Sequence, residues 1–374
     1  MSTVYTGEAA REQSPLVGGR LMSLDVLRGF DMFWIIGADS IVRGLRVVGD
    51  EGVPGFLAKQ FEHMRWEGFT FYDLIFPLFI FMIGMSLVLS LDKMVARDGK
   101  RKAYVRVVRR TILLFLLGVF YDNGVAEIYD ENVLCGVLQR LALSYFFTSL
   151  LYLNFKPRAL FGLLVFILIG YWLLFCFVPV PGTGEIGLTR ENNWARYVDE
   201  HIPPYYSYDP ENFLGTIPAV GSCLFGVFAA LFIRDSKQSD TRKVLIFMGI
   251  GIAMTVTGYL WGMHFPIAKR AWTSTYVMVA GGYSFILLGL FYWIIDVLQM
   301  RWWIWPLVWI GVNPLALYMA NNIVDFEGIG ERLVGGPMAA MVDPYGQLLI
   351  AAAVLFVTLV LAWFLYTRKI FLRL

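Results

Sequence analysis

Charge is scarce in this sequence, and cysteine and histidine are scarcer still. Of 374 residues, 16% are Asp, Glu, Lys or Arg and 58% are hydrophobic, with a mean hydropathy of +0.62. A soluble domain of this length has too little interior to hide that much apolar surface, so lipid must solvate the chain. The three cysteines, Cys135, Cys176 and Cys223, are odd in number, lie in or beside apolar segments and lack CxxC spacing. That pattern argues against a disulfide framework and against a zinc site, so no metal is expected. A net charge of +2 gives no sign of a nucleic-acid partner. There is no G-x-S-x-G, no metal-spaced histidine pair, no P-loop, no internal repeat and no low-complexity tract. Residues 1–20 are polar, and the first apolar segment continues past a signal's short core without an A-x-A exit. It is therefore expected to stay as a helix.

What is present is a series of long apolar runs, at 24–47, 70–91, 106–122, 134–154, 158–178, 213–233, 244–263, 272–296, 302–323 and 346–367. Each is near membrane-crossing length, which predicts an all-α polytopic membrane helix bundle of about ten transmembrane helices. Ten crossings place both termini on one side, and that side carries about 20 Lys and Arg against about 9 on the other, so both termini are expected in the cytoplasm. A tail, 1–22, then precedes a single transmembrane domain, 23–374, with outer loops at 48–69 and 179–212. The run "KMVARDGKRKAYVRVVRR" (Lys93–Arg110) holds eight of the inner charges and reads as an anchor to anionic lipid. "RWWIWP" at 301–306 reads as an interfacial aromatic belt.

The polar residues that lipid does not explain fall in a few places. The first segment, "LDVLRGFDMFWIIGADSIVRGL", carries Asp25, Arg28 and Asp31 at spacings of three, so all can share one helix face as a charge ladder. That is either a structural seam or a place where Arg28 meets an anionic ligand entering from the cytoplasm. Asp39 stands about two turns further out. "EHMRWEGFTFYDLIFPLFIFMIGMSLVLSL" (Glu62–Leu91) sets His63 just ahead of a membrane-length run and Asp73 near its start. "GVLQRLALSYF" puts Gln139 and Arg140 inside another run. A buried arginine needs an acid, and Asp73 or Asp39 is the candidate. Asn313 precedes a helix-kinking proline, where its amide serves freed backbone groups or a ligand. His201 lies in a long polar loop, and His264 begins a turn, "HFPIAKRAW", in which Lys269 and Arg270 either mark a membrane boundary or bind an anion.

A histidine among carboxylates can take a proton from an amine or hydroxyl attacking a carbonyl, or can itself carry an acyl group. Proton-coupled transporters of polar or sugar solutes also bury Asp, Arg and His along a path. Residue types alone leave enzyme and transporter open.

At "SLDVLRGFDMFWII", "WEGFTFYDLIFPLFIFMIGMS" and "GVLQRLALSYF" the chain resembles the heparan-α-glucosaminide N-acetyltransferase family and its bacterial homologues. The likeness continues through "NNWARYVDEHI", "YDPENFLGTIPAVGSCLFGV", "PIAKRAWTSTYVMVAGGYSFILL" and "GVNPLALYM", from Ser23 to about Asn322, in the family's order.

The resemblance implies an acyltransferase that moves an acetyl group from cytoplasmic acetyl-CoA to a glucosamine-type amine across the membrane, here a bacterial inner membrane, as a homodimer. The family's essential histidine falls on His63. A first-segment polar residue, asparagine in the animal enzymes, falls on Asp39, and a carboxylate there can accept protons where an amide only hydrogen-bonds. Asp73 matches the family's D-L-x-F-P acid, Gln139 and Arg140 its Q-R pair, and Lys269 and Trp272 its P-I-x-K-x-x-W. On this reading His63, Asp39 and Asp73 are catalytic. Arg28, Gln139, Arg140 and Asn313 hold the donor, and Lys269, Trp272, Trp66 and Trp194 meet the sugar, with Tyr197, Tyr205 and Tyr206 as further stacking surfaces. The large lumenal N-terminal domain of the animal enzymes has no counterpart in the sequence, so a lysosomal polysaccharide acceptor is not implied.

Overall fold

The structure, a computed structural model, describes residues 21–122, 135–201 and 211–372. Most of the predicted tail, together with Tyr205 and Tyr206, lies outside the described residues. Among them the helices, in chain order, are α1 (Met22–Val48), α2 (Gly52–Gln60), α3 (Phe71–Asp98), α4 (Lys100–Tyr121), α5 (Val137–Asn154), α6 (Pro157–Phe177), α7 (Trp194–His201) and α8 (Thr216–Ile233). They continue as α9 (Asp240–Gly262), α10 (Ser274–Phe291, extended by a π turn, Tyr292–Val297), α11 (Trp305–Val312), α12 (Pro314–Ile323), α13 (Phe326–Val334), α14 (Pro337–Met341) and α15 (Gly346–Thr367).

Each expected apolar segment holds a helix. Six of them, α3, α6, α8, α9, α10 with its π turn, and α15, are long and apolar enough to cross a membrane. The chain is a multi-pass membrane protein. The other four segments are charged, short or broken. α1 carries Asp25, Arg28, Asp31 and Asp39, and α5 carries Gln139 and Arg140. The 302–323 segment splits at Asn313, because Pro314 has no N–H to continue the ladder.

The third segment departs from expectation. Its helix does not start at 106 but at Lys100, one residue after α3 ends, with Gly99 at φ 83° making the reversal. The basic run is therefore mostly helix. Lys and Arg are good helix formers, and here two of the arginines, Arg106 and Arg110, have an interior to turn into.

α3 is the axis of the bundle. Of its apolar window 72% is buried, and 78% of that of its neighbour α8, against 28% for α6 and 22% for α9, whose remaining faces are left for lipid. α3 can lie close to α8 because small residues meet there: a methyl on Gly84 would collide with the Cys223 carbonyl, and one on Gly226 with the Phe81 carbonyl. The same device joins α1 to α11, at Gly29 against Leu307 and Gly311 against Asp25. Two backbones are thus fixed on either side of the space between α1 and α3.

Candidate active site

The site begins with how α3 begins. Thr70 is its N-cap and Asp73 its N3 residue, and the two form a reciprocal capping box. Asp73 Oδ2 accepts from the Thr70 N–H at 3.2 Å and from the Thr70 hydroxyl at 3.0 Å. That leaves Oδ1, which lies 2.8 Å from His63 Nδ1. A carboxylate only accepts, so Nδ1 carries the hydrogen and Nε2 presents its lone pair. Tyr72, the next residue along, stacks its ring on the imidazole at 4.6 Å between centroids. Beside His63, Glu62 is clamped by Arg46 through two contacts of 2.9 Å. Asp73 is fully buried while 45% of the His63 side chain remains accessible. The acid is enclosed and the ring it orients is open.

A second loop meets the first. Residues 63–69 pair with 264–273 through the Glu67–Ala268 bridge and the Gly68 N–H to Ile267 carbonyl bond at 2.9 Å. This carries Lys269 Nζ to 2.9 Å from His63 Nε2 and 3.1 Å from Nδ1. Burial pushes the Lys269 ammonium below the ordinary lysine range. Arg140 and Arg270 push the same way, and Glu211 and Asp73 oppose them.

Below these groups lies a buried layer. Arg140, 1% accessible, pairs with Glu211 at 2.8 Å, donates to the Asn212 carbonyl, and stacks over the Trp272 ring at 4.7 Å. The partner expected for Arg140 was Asp73 or Asp39. Asp73 is committed to His63 and the helix cap, and the loop before α8 supplies Glu211 instead. Gln139 donates to Asp122 at 3.0 Å. Trp272 has no accessible surface and sits at φ 52°, a left-handed conformation that costs a bulky residue about 1–3 kcal/mol and persists where packing imposes it. Here Arg140, Phe76 and Tyr276 surround it.

His63, Lys269 and Glu211 border a cavity of about 550 Å³, within the range of small-molecule sites. It is lined along α3 from Tyr72 to Ser90, ~27 Å at 1.5 Å per residue. His63, Tyr72, Asp39, Glu211 and Lys269 line one end. Asp25, Arg28, Ser86, Arg106 and Arg110 line the other, where the N-termini of α1 and α4 meet the C-terminal half of α3. There Arg28 pairs with Asp25 at 3.3 Å and donates to Ser86. The ladder expected on α1 is thus only half formed. Asp31 turns into the protein core, fully buried, and its oxygens have no hydrogen-bond partner among the described residues.

Of the residues singled out from sequence, the structure brings His63, Asp39, Arg28 and Lys269 to the cavity wall, with Asp73 directly behind. Gln139, Arg140 and Trp272 form the buried layer rather than the surface expected to touch donor or sugar. Asn313 does not reach the cavity. Its amide donates to the Ile370 carbonyl at 2.7 Å and its oxygen accepts from the Leu372 N–H at 3.2 Å. Trp66 donates to the Leu188 carbonyl and lines a separate depression with His264. Trp194 donates to the Val178 carbonyl, and His201 stacks on Tyr197. Among the described residues no cluster of three or more His, Cys, Asp or Glu could hold a metal ion.

Sequence reasoning missed Glu211, Tyr72, Arg106 and Arg110 as wall residues. The arginines were visible only as part of a basic run. Tyr72 adjoins Asp73, and that adjacency is the one signal that pointed to it.

Residues 20–259 match the family described as heparan-alpha-glucosaminide N-acetyltransferase, catalytic. The human and mouse proteins named heparan-alpha-glucosaminide N-acetyltransferase are each 28% identical to this chain, over 71% of it and 49% of the relative. The chain thus spans about half the length of the curated relatives it matches. With its family match extending over more than half of the sequence, and His63, Asp73, Gln139 and Arg140 all within it, the chain belongs to the heparan-alpha-glucosaminide N-acetyltransferase family.

Proposed function

We propose that this chain transfers an acetyl group from acetyl-CoA to the amino group of a glucosamine-type sugar, with His63 as the base. The observation that carries the reading is the single cavity with arginines at one end and the His63–Asp73 pair at the other. Arg28, Arg106 and Arg110 suit the phosphates of a nucleotide carrier, because guanidinium forks match phosphate oxygens. The cavity's length suits an extended arm ending in a thioester, and acetyl-CoA would supply that activated acyl group at the histidine end.

Asp73 fixes the His63 tautomer, so Nε2 takes the proton that the amine releases as it attacks. Tyr72 holds the ring flat. Asp39 faces the same end of the cavity, and among the described residues no hydrogen bond engages its carboxylate, which leaves it for the ammonium or a hydroxyl of the incoming sugar. Arg140 and Trp272 hold the loops that carry Glu211 and Lys269. We read the chain as one domain over 23–374 with ten crossings and both termini cytoplasmic, in a bacterial inner membrane as a homodimer. The arginine end then faces the cytoplasmic donor and His63 the outer acceptor.

The test uses purified protein in detergent with acetyl-labelled acetyl-CoA and glucosamine, wild type against His63→Ala. Labelled N-acetylglucosamine and free CoA from the wild type alone is the expected result. If the protein in vesicles moves glucosamine chemically unchanged and forms no labelled product, the family's activity does not hold here and transport replaces it.

A further inference from the structure

The departing thiolate needs the proton that the amine gives up to His63, and either the imidazolium or a second group can deliver it. We propose that Lys269 is a further catalytic residue that protonates the departing sulfur, and that its contact with His63 returns the proton taken from the acceptor. The proposal rests on the acetyl-transfer reading above.

Two observations independent of the family carry it. Lys269 Nζ lies beside the imidazole edge, 2.9 Å from His63 Nε2, the nitrogen that Asp73 leaves free, and 3.1 Å from Nδ1. Like-charged groups are not packed this closely unless one is neutral, so the pair accommodates a single proton across the contact. Lys269 also lines the same cavity wall as His63, on a loop outside the spanning helices. Its surroundings make it a stronger acid than an ordinary lysine: burial lowers it, the Arg140 and Arg270 cations push the same way, and Glu211 and Asp73 oppose them. A lowered ammonium gives up its proton to sulfur more readily than an ordinary lysine does. Asp39 across the cavity and the Arg46–Glu62 pair beside His63 complete the charges at this end.

The step balances. The amine nitrogen bonds to the thioester carbonyl carbon, and its proton goes to His63 Nε2. The carbon–sulfur bond breaks, sulfur keeps the electron pair, and Lys269 Nζ gives it a proton. His63 is then imidazolium and Lys269 a neutral amine. The proton crosses from Nε2 to Nζ, and both groups are restored with amide and free thiol as the only products. Turnover then needs no proton from solvent.

The experiment compares wild type, Lys269→Ala and Lys269→Arg with two donors, acetyl-CoA and S-phenyl thioacetate, whose thiol is far more acidic and leaves unaided. Loss of a general acid costs roughly 10²–10⁴-fold, and both variants are expected to lose that much with acetyl-CoA. With the aryl donor the loss should stay within about tenfold. The ratio between donors on one preparation does not depend on how much of the variant is folded. Arginine keeps the charge but does not release its proton, so recovery by Lys269→Arg would overturn the proposal. Equal losses with both donors would do the same. A second readout needs no turnover: labelling of the resting protein with acetic anhydride across pH, read by peptide mass spectrometry, should give Lys269 a midpoint below that of exposed Lys59. Coincident midpoints would also overturn it. A wild type inactive with both donors would instead remove the acetyl-transfer reading itself.

Discussion

The carboxylate of Asp73 holds His63 with one oxygen and the first turn of α3 with the other. Orientation of the base and initiation of the central helix therefore share a side chain, and substitutions can separate the two. Asp73→Asn keeps an oxygen for the cap but no longer enforces the Nδ1–H tautomer. Turnover should fall by about 10²-fold or more while thermal unfolding stays near wild type. Asp73→Ala should add a loss of about 1 kcal/mol from the cap. A full-rate Asp73→Asn enzyme would remove the acid from the mechanism.

Arg106 and Arg110 lie at the opposite end of the cavity from His63. Each charge-assisted contact to a phosphate contributes about 1.5–3 kcal/mol. Replacing both with Gln should raise KM for acetyl-CoA by at least about tenfold with kcat little changed. Steady-state kinetics at two salt concentrations would check it. An unchanged KM would return these residues to lipid anchoring alone.

Arg140, which is buried, forms an ion pair with Glu211 on the cavity wall. Removing one partner strands the other, at a cost of about 3–5 kcal/mol. Arg140→Met and Glu211→Leu should each lower the denaturation midpoint strongly. The double variant should lose much less than the sum of the two, which a double-mutant cycle would measure.

The lowered Lys269 pKa sets a sign for pH dependence. The ammonium is the active form, so rate is retained below its pKa and lost as pH rises through it. The alkaline limb of kcat should therefore fall below 10.5, the ordinary lysine value. A profile flat to that pH would contradict the acid role. Lys269→Met should abolish the limb along with most of the rate.

The helical architecture was legible because apolar length is written directly into the sequence, and so was the His63–Asp73 pair, since polar residues beside membrane-length runs are few. Less legible was everything that depends on rotation about a helix axis. Arg106 and Arg110 sit in a basic run whose composition is the same whether its side chains meet lipid or turn inward. Arg140 needed an acid, but the choice of Glu211 over Asp73 was made by a loop joining distant parts of the chain. Trp272 looked like a sugar platform in sequence. Only packing shows it walled in beneath Arg140.

The amide of Asn313 ties the break between α11 and α12 to the backbone of Ile370 and Leu372, and Leu372 reaches the cavity wall. One boundary of the cavity is therefore made by residues that leave the ribosome more than three hundred positions after Asp25, on the wall at the same end. The groups proposed for catalysis are all synthesised and able to meet before that boundary exists. A chain stopped at Thr367 would hold His63, Asp73 and Lys269 and still lack part of the wall beside Asp25. Completion of the arginine end thus comes after those groups in the order of biosynthesis, and a bulky insertion directly after Leu372 would sit at that end rather than on a remote surface.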